Sequence, residues 1–212
     1  MKQDGSVALF HYWNRLRKGR PAPRRTEIEP ADIKSLLSDT FILERDMRGK
    51  AVFRLAGTRV CAIHGGELKS LSFTSLWVER DQSLVDRLVR SVFDSSHVIV
   101  VTFDGRSKNG RANPFEMVIL PLNGGVDSPR CIGAISPVRK PFWLGADPIV
   151  EAMVESVRVV DPDQEAMFLR DRAPIDVPAL SPVELDSAGI GENTTAPRRI
   201  RHLVVLDGGR TE

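Results

Sequence analysis

The chain has 212 residues, 42% apolar and 27% charged, with a formal net charge of +2 at pH 7. That is an ordinary globular composition, enough for one sizeable domain with extensions or two small ones, and the charge is too small to call for nucleic acid. Two cysteines, Cys61 and Cys131, exclude a disulfide-rich framework, and no apolar run approaches the roughly 18 residues that cross a bilayer.

At the start of the chain the apolar run 7–10 is too short for a secretory leader, so the expectation is a cytoplasmic protein with reduced thiols. Residues 6–18 read as an amphipathic helix, with Leu9, Tyr12, Trp13 and Leu16 on one face. Asp4 or Ser6 is its expected cap, and Gly19 with Pro21 its stop. A lone helix this short is marginal in water. Its apolar face must therefore pack, either on its own domain or on a second copy, and it is the candidate dimer interface. The cations Arg15, Arg17, Lys18, Arg20, Arg24 and Arg25 follow. They fit phosphate or anionic-lipid contact, or a solvated helix end that complements the helix dipole. Glu27, Glu29 and Asp32 offset the field, and no further signal of a nucleic-acid module is present, so that partner is disfavoured.

Pro30 opens a short helix over 31–37. Strands are expected at 40–43 and 51–55, joined by a turn at 46–50 that contains Gly49. Short helical pieces broken by Gly65 and Gly66 come next, then a second apolar knot at 73–77. Residues 81–93 form the clearest helix, with Leu84, Val85, Leu88, Val89, Val92 and Phe93 in one stripe and Asp81 as cap. Strands follow at 97–103, 115–122 and 131–138, with 104–114 as a long polar loop and a turn starting at Asn123. Consecutive strands joined by turns predict antiparallel pairing in an α+β fold with helices on one face. Beyond them, 147–160 reads as a helix, 164–171 as a weaker one, 177–197 as a proline-rich linker, and 200–206 as a short strand able to extend a sheet edge. The organisation is thus a helical and basic segment (1–38), a core (39–140), a helical extension (141–173), and a linker with terminal strand (174–212).

Candidate chemistry is sparse. Cys61, His64 and Glu67 are spaced for one helix face, but a thiol nucleophile needs its base within hydrogen-bond reach, and Gly65 with Gly66 should break the helix first. Cys61 is better read as a packing residue, and a Cys/His hydrolase is a remote alternative. His11, His64, His97 and His202 fall in different elements without metal-ligand spacing, so no metal is expected. The glycine pairs lack the flanking residues of a phosphate loop. An apolar pocket is the remaining candidate, lined by Phe53, Leu55, Cys61, Phe73, Trp77, Met117 and Ile119, with the Trp77 N–H as a polar contact. The competing reading is that these side chains simply fill the core.

Two strands, short helices, a longer helix and three strands, in that order, resemble the PAS fold. Three stretches carry a closer likeness. Residues 12–33 contain Trp13, Leu16, Gly19, Arg20, Pro23, Arg25, Ile28 and Pro30. Residues 53–77 contain FRLAGT, Gly65, Glu67, Leu68 and Leu76-Trp77. The third stretch is HLVVLDGGR at 202–210. In these the chain resembles the alphaproteobacterial family of stand-alone PAS proteins, which includes a motility regulator. It departs from that pattern at His64, where relatives tend to have an aromatic, and at Ser70, where a glycine is expected. The resemblance implies a five-stranded antiparallel sheet with helices across one face, and a sensing and protein–protein regulatory role without catalysis. A flavin photosensor of this fold carries a different motif from RVCAIH, and a haem-bound one usually has a histidine on the long helix, which 81–93 lacks. Neither cofactor is expected, although an unidentified small ligand stays open. The resulting expectation is a non-catalytic, homodimeric regulator acting through a protein partner in bacterial signalling, with a small-molecule sensor as the alternative.

Overall fold

The helical spacing near the N-terminus produces α1 (Asp4–Arg17), which ends on Lys18 and Gly19 in left-handed conformation. In the computed structural model, which describes residues 1–124, 129–170, 199–200 and 203–204, three one-turn 3-10 segments (Arg25–Glu27, Pro30–Ile33 and Leu37–Asp39) lead to the sheet. There β1 (Thr40–Arg45) and β2 (Ala51–Ala56) form the expected hairpin. The Asp46 carboxylate accepts from the amides of Arg48 and Lys50, and Gly49 takes the positive φ of 77° that the turn requires. Next come α2 (Thr58–His64), a 3-10 turn at Phe73–Leu76 and α3 (Glu79–Ser95). The chain continues with β3 (Val98–Ser107), β4 (Ala112–Leu122), β5 (Arg130–Pro137), β6 (Ile149–Val160) and α4 (Pro162–Arg170).

All six strands pair antiparallel in the order β2-β1-β5-β4-β3-β6. α2 and α3 cover one face, over a core that includes Phe41, Leu43, Phe53, Val85, Val89 and Met117. α1 lies on the other face, where Leu9, Phe10 and Trp13 pack with Val98, Val118, Leu120 and Ile132. Phe41 crosses Gly133, its direct partner on β5. A Cβ there would sit 2.2 Å from the Phe41 ring and 2.6 Å from the Val118 carbonyl oxygen, so only glycine fits.

Several expectations need correction. Residues 147–160 form β6, not a helix, and this gives the sheet six strands where five were expected. The register shifts at two points along β6, between its partners Thr102 and Phe103 and between Arg106 and Ser107. Each bulge lets the strand skip a residue without changing face. The side chains that meet the inner core are therefore Ile149, Ala152, Val154 and Val157, a spacing that imitates a helix. The polar stretch 104–114 is mostly strand, closing as the β3–β4 hairpin around Ser107–Arg111, with the Ser107 amide donating to the Arg111 carbonyl. Asp81 is inside α3, whose cap position is Val78; its carboxylate instead accepts the Val154 amide at 2.9 Å. Neither Asp4 nor Ser6 caps α1. Gln3 holds that position, and the Lys2 and Gln3 amides donate to the Glu116 carboxylate.

The chain divides into two compact units, Met1–Ala173 and Pro174–Glu212. In the second, only the short antiparallel pair β7 (Arg199–Ile200) and β8 (Leu203–Val204) is described. The expected linker at 177–197 and most of the 200–206 strand lie outside the described residues, as does the turn beyond Gly124.

Candidate functional site

Aromatic side chains gather between the sheet and the α2–α3 layer because β1, β2, β3 and β4 each aim one ring inward at alternating strand positions. The ring centroids form an unbroken series: Phe41 to Phe53 at 5.8 Å, Phe53 to Phe73 at 5.6 Å, Phe73 to Trp77 at 6.0 Å, Trp77 to Phe103 at 5.1 Å and Phe103 to Phe115 at 5.1 Å. Of the sequence-derived pocket residues, Phe53, Phe73, Trp77, Met117 and Ile119 are brought together here, fully buried, and Cys61 packs at the margin. Leu55 is not among them. It lies on the other face of β2, 49% exposed, beside Ile42 and Ile132.

Phe41, Phe103 and Phe115 were missed. Phe103 and Phe115 are directly opposed across the β3–β4 ladder, and reading 104–114 as a loop hid that pairing. One polar atom in the cluster is unmatched: the Trp77 indole N–H is buried and has no acceptor among the described residues. Buried donors are rarely left this way, because desolvation without a partner costs about 1–3 kcal/mol.

The Cys61–His64 pair is not assembled. The imidazole Nδ1 of His64 lies 3.3 Å from the Ile149 carbonyl oxygen, while the Cys61 thiol faces the Ala56 carbonyl at 3.7 Å and the Glu67 carboxylate at 3.9 Å. Burial holds His64 below the usual histidine pKa, partly offset by its bond to Ile149. Cys131 is completely buried, which pushes its thiol far above the ordinary range and leaves it a packing residue. Among the described residues, no group of three or more His, Cys, Asp or Glu side chains is placed to hold a metal ion.

The candidate interface face is used inside the chain. Leu9, Tyr12 and Trp13 are buried against the sheet and the segment after α1, and Leu16 is half-buried. The Trp13 indole donates to the Pro121 carbonyl at 2.7 Å, and the Tyr12 hydroxyl accepts the Glu29 amide at 2.8 Å. Two cations of the basic segment, Arg17 and Arg20, are committed as well. Arg17 pairs with Asp163 on α4, and Arg20 pairs with Glu27 while donating to the Leu16 and Arg17 carbonyls at the end of α1. These contacts match the helix-end reading of the cations.

Residues 1–136 match the family model described as the PAS domain. The chain belongs to the PAS domain family. The matched residues carry the five strands ordered β2-β1-β5-β4-β3, and β6 adds a sixth beyond β3. No curated protein matches the chain. Among solved structures, the PAS domain of a protein from Colwellia psychrerythraea is similar: 13% identical, covering 53% of this chain and 100% of that one, with a TM-score of 0.37. No helix among the described residues is long and apolar enough to cross a membrane. For this PAS domain the family supports a signalling or sensory role.

Proposed function

We propose that this PAS protein is a non-catalytic, cytoplasmic regulator that works by binding another protein, as a homodimer, in bacterial signalling of the motility or cell-cycle kind. The observation that carries the reading is the aromatic core, whose rings pack against one another between the sheet and α2–α3. The likeness of residues 12–33 and 53–77 to the alphaproteobacterial stand-alone family supports the process. Because Leu9, Tyr12 and Trp13 are used internally, a partner must meet a different surface. Val159 and Phe168 offer one: both are exposed and line the same shallow recess, with exposed Met167 nearby on α4.

A second reading, a small-molecule sensor, is favoured by the unmatched Trp77 N–H, which a ligand acceptor within the core would satisfy. Native mass spectrometry of the gently purified full chain separates the two. The expected result is a dimer with no retained small molecule. A stoichiometric bound mass that is lost in Trp77→Phe would overturn the first reading in favour of the sensor.

A further inference from the structure

The face of the sheet opposite the aromatic core holds a groove that none of the preceding assignments uses. Its volume is about 410 Å³, within the range of small-ligand sites. Ile42 of β1, Leu55 of β2 and Ile132 of β5 contribute from the sheet, Ile33 and Leu37 from the 3-10 segments that follow α1, and Ile28 from between the first two of them. Leu55 and Leu37 are 49% and 37% exposed, so an apolar surface is left open to solvent here. One cation contributes to the lining. Arg25 is half-buried, its Nε–H is buried without an acceptor, and its guanidinium makes no ion pair among the described residues. Glu27, two residues further on, is engaged by Arg20.

An unmatched guanidinium donor beside an aliphatic trough is complementary to a molecule with one anionic, planar head and an apolar body. Guanidinium binds carboxylate through paired N–H donors, and the aliphatic lining gains by covering a chain of methylenes. We propose that this groove binds a small amphipathic carboxylic acid, with its carboxylate on Arg25 and its hydrocarbon over Ile42, Leu55 and Ile132. Such a ligand would tie the 3-10 segments to the β2–β1 edge of the sheet, away from the aromatic core.

The test is a titration of the isotope-labelled full chain with sodium octanoate, using octanol as the uncharged control, followed by amide NMR shifts. Octanoate is expected to saturate and to move the amides of Ile42, Leu55 and Ile132. Octanol should bind roughly tenfold more weakly, the factor expected for a charge-assisted hydrogen bond. Arg25→Gln should remove that preference and leave octanol binding unchanged. Leu55→Glu, at a partly exposed position with little folding risk, should weaken both. Equal affinity for the two compounds in the wild type would overturn the assignment and give the groove to an uncharged apolar partner surface. No saturable octanoate binding, or shifts centred on Trp77, would also overturn it.

Discussion

His64 shows how one side chain ties the fold to pH. Its imidazole is packed at the end of α2 and meets the Ile149 carbonyl, and burial keeps its pKa low. Above the ordinary histidine pKa of about 6.5, the ring is neutral in both folded and unfolded chains. As the pH falls below that value the unfolded chain takes a proton first, so stability declines. The loss levels off once the folded imidazole also protonates at its depressed pKa. Urea denaturation at pH 7.5 and pH 5.5 should therefore show a larger drop in stability for the wild type than for His64→Gln. Equal drops would place the pH response in other groups.

Among the elements, β6 is supported from both sides. It is an edge strand, and its outer side is held by the segment leading into α3: the Val78 amide donates to the Ala152 carbonyl, and Asp81 accepts from Val154 beside the bulge. Covering an edge in this way blocks further strand addition there. Asp81→Ala should leave the Val154 amide without its acceptor and cost about 1–3 kcal/mol. It should also speed hydrogen exchange at that amide while leaving β1 and β2 protected. Asp81→Asn keeps a carbonyl acceptor and should recover part of the loss. Unchanged exchange at Val154 in the alanine variant would show that the carboxylate is dispensable for holding β6.

In Met1–Ala173 one sheet separates two cores, the aromatic layer under α2–α3 and the layer under α1. The sheet's central strands contribute to both, as with Ile119 and Val118 on β4, so neither core can come apart without disturbing the other. Trp13→Ala should therefore act on the whole domain rather than on a dimer contact. Removing a fully buried indole costs about 3–5 kcal/mol, with the Pro121 carbonyl left unmatched in addition. Thermal unfolding of that variant should show a single transition at lower temperature, with coincident midpoints by tryptophan fluorescence and far-ultraviolet circular dichroism. Normal stability with weakened self-association would instead return α1 to an interface role.

Local pattern was enough to read α1, the β1–β2 hairpin, α3 and the cores of β3, β4 and β5, because each has a clean helical or alternating period and recognisable turn residues. It was also enough for the PAS resemblance and for three of the six rings of the aromatic core, Phe53, Phe73 and Trp77. Tertiary structure decided what periodicity cannot express. The bulges in β6 gave a strand the spacing of a helix, and only pairing with β3 reveals them. The face of α1 seeks apolar surface in any case, and only the sheet's uncovered side shows that the chain supplies that surface itself. Leu55 and Arg25 are distant in sequence and carry no shared motif; the turns after α1 bring them to one groove. Contacts of that kind are set by the path of the chain through space, which no local window contains.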